Sequence, residues 1–234
     1  MRDGSARAAA GRTPAHTYDG KRDDYFGNVR REILPLLPAS SARVLELGCG
    51  RGDTLAYLKR EGRCAWAGGV ELFPAAAAVA RERLDWLLEG DAERLDISLE
   101  PESLDLVLCL DVLEHLVDPW AMLRRLVALL RPGGAVVASI PNVRHMHVVL
   151  PLLFRGRFEY ADEGLLDRTH LRFFTRRSAV DLLEGAGLRV DLVRDTGLEP
   201  GTRSRVIDAL TLSTFRPLFT VQYLLRAVKP GGGR

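Results

Sequence analysis

Apolar residues along the chain alternate between a strand-like and a helix-like pattern. Short, nearly continuous apolar runs predict strands over residues 42–47, 65–72, 86–91, 103–110, 135–141, 188–196 and 218–228. Apolar positions at helical spacing predict helices over residues 25–37, 54–61, 75–84, 120–130, 143–154 and 175–187. Because buried strands separated by helices are typical of right-handed βαβ units, we expect an α/β protein with a doubly wound, mostly parallel sheet.

The length of 234 residues fits one domain with a sizeable core. Residues 1–17 are rich in Ala, Arg and Gly, so we expect a mobile tail there, followed by a domain over residues 18–230. The net charge of +2 gives little reason to expect a nucleic-acid partner. No apolar run reaches about 18 residues, so no membrane span is predicted. The three cysteines form no disulfide framework, which favours a reducing cytoplasm.

Three closely spaced glycines, Gly48, Gly50 and Gly52, follow the first predicted strand. In an open α/β sheet, ligands bind beside the loop after this strand, and glycines let a ligand approach the backbone closely. A dinucleotide fingerprint would need its third glycine at position 53, where this chain has Asp53. Glu46 precedes the glycines and suits a cationic or amine-bearing ligand. The loop therefore predicts a site for a nucleoside-containing ligand that is cationic or bears an amine.

The run VLELGCGRG over residues 44–52 resembles the first motif of class I S-adenosylmethionine-dependent methyltransferases. Segments similar to the later motifs of that family follow in order, namely GGVEL, EGDAERL, LCLDVLEHL and LLRPGGAVVASIP. The resemblance implies a Rossmann-like sheet of seven strands, with the last strand antiparallel and inserted between the fifth and sixth. It also implies a cofactor half over about residues 42–141 and an acceptor-side half over about residues 142–230.

The resemblance further implies which residues bind S-adenosyl-L-methionine. Glu71 ends the second strand, where a carboxylate can accept hydrogen bonds from both ribose hydroxyls, although a nicotinamide site also uses an acid there. The other predicted cofactor residues are Glu46, Gly48, Gly50 and Gly52 in the loop, Leu72 beside Glu71, Asp91 and Ala92 at the adenine, Leu110 and Asp111 at the methionine end, and Arg30 at the cofactor carboxylate. An N-terminal helix that carries Tyr25 is expected to cover the open side of the cofactor.

Methyl transfer to a hydroxyl needs a base that takes up the proton, and this family places its acceptor pocket after the fifth strand. Two segments there, PNVRHMH and LLDRTHLRFFT, resemble a bacterial subgroup similar to the methyltransferases of ubiquinone biosynthesis. His170 is the preferred general base, oriented by Asp167 or another carboxylate, and His145 is the second candidate. The alternative is that Asp167, Thr169 and His170 form a hydrogen-bonded brace across the sheet end.

Other side chains in the acceptor half have both a structural and a functional interpretation. No metal site is predicted, because His145, His147 and His170 lack a clear carboxylate at ligand spacing. His115 is expected to be structural. A group of arginines favours an acceptor that carries a carboxylate or phosphate, with an ordinary charged surface as the alternative. These arginines are Arg144, Arg155, Arg157, Arg168 and Arg172.

The expected function is S-adenosylmethionine-dependent methylation of a small molecule, at an oxygen of a sugar, a nucleotide-sugar or a secondary metabolite. A nicotinamide-dependent oxidoreductase, which Asp53 disfavours, and a non-catalytic nucleoside-binding partner protein are the alternatives. A nucleic-acid methyltransferase would need a more basic surface or, for base amines, a motif such as NPPY after the fourth strand, where this chain has LDVL. The oligomeric state is left open.

Overall fold

All seven predicted strands are present in the computed structural model, which describes residues 28–197 and 213–231. The strands are β1 (Ser41–Leu47), β2 (Cys64–Glu71), β3 (Trp86–Glu89), β4 (Leu104–Leu110), β5 (Leu130–Pro141), β6 (Arg189–Asp195) and β7 (Gln222–Val228). They form one sheet in the order β3-β2-β1-β4-β5-β7-β6. β7 is antiparallel to both of its neighbours, β5 and β6, and the pairs among the first five strands are parallel. The predicted Rossmann-like order is confirmed.

Within the two described ranges, six α-helices connect and cover these strands. They are α1 (Asp53–Arg60), α2 (Pro74–Arg81), α3 (Pro119–Leu129), α4 (Met146–Arg155), α5 (Arg176–Glu184) and α6 (Arg216–Phe219). Local capping explains where two of them begin. The Asp118 carboxylate accepts a hydrogen bond from the Ala121 amide at the start of α3, and Thr175 and Ser178 form a reciprocal capping box at the start of α5. Among the described residues, none of these helices is long and apolar enough to cross a membrane.

The predicted helix over residues 25–37 is wrong in its described part. Residues 28–30 have no regular structure, and Arg31–Leu36 form a short 3₁₀ helix that contains Pro35. Proline has no amide hydrogen, and its ring crowds the carbonyl four residues earlier, so Pro35 disfavours a regular α-helix over this short segment. Tyr25 and the tail predicted over residues 1–17 lie outside the described residues.

The core lies on both faces of the sheet, and the central strands supply it by alternation. In β1, Leu45 and Leu47 pack into a cluster with residues of α3 and α5, whereas Val44 packs on the opposite face with residues of α1 and the 3₁₀ helix. Every residue of β4 is buried, as expected for a central strand that is covered on both sides. The chain is therefore doubly wound.

β1 and β4 are adjacent, and the order of the strands reverses between them. From β1 the chain proceeds outward through β2 to β3, and from β4 it proceeds in the other direction to β5. The loops after the two strands consequently diverge, and a crevice opens at their carboxyl ends. The glycine loop follows β1 into this crevice, and Asp111 enters it directly after β4.

Close packing beneath the glycine loop predicts that Gly69→Ala is destabilising. A methyl group at this position of β2 would lie 2.4 Å from the Cys49 sulfur and 2.9 Å from Cδ1 of Leu84. We expect a loss of about 1–3 kcal/mol, measured by chemical denaturation, because overpacking a filled site forces its neighbours to move.

The double variant Gly69→Ala with Cys49→Ala serves as the internal control. Removing the sulfur relieves the closer of the two contacts, so part of the lost free energy should return. A Gly69→Ala protein as stable as the wild type would contradict the packing described for this loop.

Candidate cofactor site and active site

A cavity of about 530 Å³ lies in the crevice at the carboxyl ends of β1, β2 and β4, within the size range of small-molecule sites. Ten of the eleven predicted cofactor residues line it. They are Arg30, Glu46, Gly48, Gly50, Glu71, Leu72, Asp91, Ala92, Leu110 and Asp111. Gly52 lies at the end of the same loop, at the N-cap of α1, with a φ of 75°. The glycine loop, the acids Glu71 and Asp91, and the Leu110–Asp111 pair at the end of β4 thus meet in one place.

The glycine loop is held by the carboxylate of Glu71. The Gly50 amide donates a hydrogen bond of 2.7 Å to one oxygen of Glu71, and the Phe73 amide donates one of 2.8 Å to the other. Burial raises the pKa of Glu71, and these two amides oppose the rise. At Gly48, where φ is 70°, an added Cβ would lie 3.1 Å from Cγ2 of Val112, so a side chain would be strained and crowded. The loop can therefore lie close to both β2 and the segment after β4.

Glu46 is a second buried acid of the cavity wall, exposed as little as Glu71. Its Oε2 atom has no hydrogen-bond partner among the described residues. Burial raises the pKa of Glu46 to about 8, and Glu71 and Asp53 add to the rise, whereas Arg30 opposes it. A buried acceptor without a donor is costly, so this oxygen favours a ligand that brings a positively charged donor.

The loop after β3 forms the end of the cavity at which the adenine is predicted. The Asp91 carboxylate accepts a hydrogen bond of 3.0 Å from the Glu93 amide, and Arg94 lies 3.2 Å from its other oxygen. Arg125 reaches over from α3 and donates hydrogen bonds to the carbonyls of Ala92 and Leu95. Arg125 thereby fixes the backbone beside Asp91, a role that its place in an amphipathic helix did not indicate.

Asp111 organises the other end of the cavity. Its φ of 51° lies in the left-handed region, which is uncommon for a residue other than glycine. Its carboxylate accepts hydrogen bonds from Arg30, Ser139 and Gln222 at 2.5, 2.8 and 2.9 Å. Arg30 is also ion-paired with Glu32. In the structure, Arg30 therefore lies at the predicted methionine end but is engaged with two carboxylates of the chain itself.

His115 lines the cavity and links it to a buried acid-base cluster. Its ring packs edge-on against the ring of His170, with centroids 4.7 Å apart, and Nε2 of His170 lies 4.0 Å from Oε1 of Glu114. Neither carboxylate oxygen of Glu114 has a hydrogen-bond partner among the described residues. Burial, and then the nearby Asp111, raise the pKa of Glu114 well above its usual range. His170 itself is not among the described residues that line the cavity.

The predicted relation between Asp167 and His170 takes a specific form. The Asp167 carboxylate accepts hydrogen bonds from the amide and the hydroxyl of Thr169, at 2.9 and 2.8 Å. The Thr169 hydroxyl lies 3.0 Å from Nδ1 of His115, and the His170 amide donates to the Asp167 carbonyl. These contacts match the hydrogen-bonded brace, whereas the carboxylate at 4.0 Å from the His170 ring belongs to Glu114.

His145 lies at the start of α4, away from the described lining of the cavity. Its Nδ1 accepts a hydrogen bond of 3.3 Å from the His147 amide, and the two rings are 4.8 Å apart. Burial, together with His147, lowers the pKa of His145. His170 packs instead with His115, so the fold separates the histidines into two pairs and adds Glu114 to one of them. The absence of a metal stays a prediction.

Comparison with known proteins agrees with this geometry. The model of a protein family described as a methyltransferase domain matches residues 18–193. The chain belongs to this methyltransferase family.

Among its relatives, a ubiquinone biosynthesis O-methyltransferase of Xanthomonas euvesicatoria is 29% identical, over 93% of this chain and 85% of the relative. That of Xylella fastidiosa is 28% identical, over 76% and 74% of the two chains. The fold is shared with an S-adenosylmethionine-dependent methyltransferase from Archaeoglobus fulgidus, with a TM-score of 0.65 and 21% identity over 92% of this chain and 97% of that one.

The methyltransferase uses S-adenosylmethionine, which supplies a methyl group on a positively charged sulfonium. The residues of the cavity fit this cofactor, because the partnerless oxygen of Glu46 can accept from an ammonium and the glycine loop leaves room for a close ligand. Membership of a methyltransferase family argues against the alternative of a nicotinamide-dependent oxidoreductase.

The raised pKa of Glu46 predicts how stability depends on pH in the absence of a ligand. Folded Glu46 keeps its proton up to about pH 8, whereas the unfolded chain releases it near 4.5. Between these values the folded state binds the extra proton, so the free energy of unfolding falls as pH rises. Glu46→Gln removes this loss. We expect its melting temperature to gain roughly 10 °C on the wild type between pH 5 and pH 8.5, which corresponds to about 4 kcal/mol.

Thermal unfolding across this pH range checks the expectation. Glu61→Gln, a change of an exposed glutamate, is the matched control and should follow the wild type throughout. Parallel curves for Glu46→Gln and the wild type would show that Glu46 is not a strained buried acid.

Proposed function

We propose that this methyltransferase transfers its methyl group to a hydroxyl oxygen of a small-molecule acceptor. The observation that carries the proposal is the acid-base cluster of Glu114, His115 and His170, which reaches the cavity through His115. A hydroxyl must lose its proton when it is methylated, so a base that reaches the cofactor cavity favours oxygen chemistry. The relatives named as O-methyltransferases of ubiquinone biosynthesis support the same reaction class.

The hydrogen bonds of both histidines favour the neutral tautomer that carries its hydrogen on Nδ1. Nδ1 of His115 lies 3.1 Å from the Thr169 carbonyl, and Nδ1 of His170 lies 3.2 Å from the Leu165 carbonyl. A carbonyl only accepts, so the neutral rings carry their hydrogen on Nδ1 and keep the lone pair on Nε2. We propose that His115 meets the acceptor hydroxyl and that His170 acts with it as the general base, while Glu114 sets the charge of the pair. His145 remains the second candidate.

The surroundings of His170 favour an acceptor with a ring. Phe158 packs against Tyr160 and Phe173 with centroid distances of 5.6 Å, and Phe173 lies 6.3 Å from His170. Such a cluster can stack an aromatic or sugar ring. The proposal therefore covers small ring-bearing hydroxyl compounds, including sugars, nucleotide-sugars and secondary metabolites.

The contacts of the arginines in the acceptor half give little support to an anionic acceptor. Arg168 lies 3.3 Å from Asp162, and Arg172 stacks over Trp120 and donates to the Val117 carbonyl. The five arginines considered from the sequence are not among the described residues that line the cavity. An acceptor with a carboxylate or phosphate stays a prediction that rests on composition.

Ligand-induced stabilisation tests the cofactor assignment. S-adenosylhomocysteine or S-adenosylmethionine at about a hundred times its dissociation constant should stabilise the protein by about 2.7 kcal/mol, or roughly 5–10 °C, whereas NADH should have no effect. Glu71→Ala should abolish the shift, because this change removes the predicted ribose acceptor and the brace of the Gly50 amide. Glu89→Gln, at the exposed end of the adjacent strand β3, should keep it. A shift with NADH alone would overturn the assignment.

A screen of hydroxyl acceptors tests the reaction itself. Each compound is incubated with S-adenosylmethionine, and S-adenosylhomocysteine is measured as the product. With an active acceptor, His115→Asn and His170→Asn should each lower kcat by about 10²–10⁴-fold, as expected for lost base catalysis. His170→Asn, which changes a residue outside the described lining of the cavity, should leave cofactor affinity unchanged. His147→Asn, which changes an exposed histidine of α4, is the control. Full activity in both variants, or methylation confined to amines, would refute the proposal.

A further inference from the structure

We infer that Gln222 is a positioning residue for the methionine end of the cofactor. It begins β7, the strand inserted between β5 and β6, and its side chain both lines the cavity and contacts Asp111. The inference rests on the assignment of this cavity to S-adenosylmethionine. It concerns a residue 111 positions away from Asp111 in the chain, outside every motif of the cofactor half.

The backbone of Gln222 is fixed at both of its polar groups. Its amide donates a hydrogen bond of 3.0 Å to the hydroxyl of Thr196, and its carbonyl accepts from the amide and the hydroxyl of the same residue, at 3.0 and 3.3 Å. Next to it, the Asn142 amide donates to the Val221 carbonyl. These contacts fix the point from which the side chain extends, which suits a residue that must hold another.

The contact with Asp111 determines the orientation of the Gln222 amide. A carboxylate only accepts hydrogen bonds, so the NH₂ group of Gln222 faces Asp111, at 2.9 Å, and its carbonyl oxygen is directed elsewhere. Ser139 donates to the same carboxylate oxygen at 2.8 Å, and Arg30 donates to the other. Arg30 also donates to the Ser139 hydroxyl at 3.2 Å, which closes a ring of polar contacts around the carboxylate.

This ring of contacts stabilises the backbone conformation of Asp111. Asp111 adopts a left-handed backbone conformation, which is uncommon for a residue other than glycine, and the surrounding contacts help to hold it there. Its amide also donates to the Ser139 carbonyl at 3.2 Å. Holding Asp111 in this conformation sets the direction of the Leu110–Asp111 peptide, and both residues line the cavity. Gln222 thereby acts on the ligand through Asp111.

Two ligands that differ only in their tails separate this role from a general structural one. S-adenosylhomocysteine carries the amino acid tail, whereas 5′-methylthioadenosine has the same nucleoside without it. Gln222→Leu removes one hydrogen bond to a charged group, so S-adenosylhomocysteine should bind about tenfold more weakly by calorimetry. The affinity for 5′-methylthioadenosine should change by less than about twofold, because its contacts lie at the other end of the cavity.

Further variants complete the experiment. Ser139→Ala removes another donor to the same carboxylate and should give the same selective loss, which provides a second test if Gln222→Leu folds poorly. Gln222→Glu places a second carboxylate beside Asp111, so its binding of S-adenosylhomocysteine should recover as the pH is lowered. Arg226→Ala is the matched control on the same face of β7, where Arg226 pairs with Asp191 outside the cavity, and it should affect neither ligand.

The outcomes are distinct. A selective loss of S-adenosylhomocysteine in Gln222→Leu and Ser139→Ala supports the inference. Equal losses for both ligands, or no loss for either, overturn it. A wild-type protein that binds 5′-methylthioadenosine but not S-adenosylhomocysteine overturns it as well. A wild-type protein that binds neither nucleoside instead overturns the cofactor assignment, and this result is visible before any variant is examined.

Discussion

The reversal of strand order between β1 and β4 is the constraint on which the site depends. Two adjacent parallel strands whose following segments leave in opposite directions cannot close the space above their carboxyl ends. The glycine loop and Asp111 project into that space from the two sides, and Glu71 joins them from β2. The cavity is thus a consequence of topology, and the side chains determine what it accepts.

Buried carboxylates determine the chemical character of this cavity. Burial raises the pKa of Glu46, of Glu71 and of Glu114, which means that each acid is held in surroundings that disfavour its charged form. A protein pays for such groups in stability, and they concentrate at functional sites for that reason. A cationic cofactor supplies a positive charge, which favours the charged form of the acids in the cavity wall. The same argument applies to Glu114, which lies beside His170.

The regular elements were largely predictable because their signals are local. The fully buried strand β4 and the capped helix α3 each show their character within a dozen residues of sequence. The helix expected over residues 25–37 was wrong in its described part because apolar spacing alone does not register the local effect of Pro35 on the backbone. The positions of the loop glycines, of Glu71 and of Asp111 were predictable through the resemblance, since strand ends meet at one edge of a parallel sheet.

Partnerships between distant residues required the tertiary structure. By itself, the sequence determined the α/β class, the sites of the glycine loop and strand-end acids, and the cofactor that they suit. The fold alone decided that Gln222 and Ser139 hold Asp111, and that His170 lies beside Glu114 and His115 while Asp167 binds Thr169. Hydrophobic periodicity records which face of an element is buried but carries no information on which polar side chain lies opposite it. That choice depends on strand order and register, which bring together residues more than a hundred positions apart.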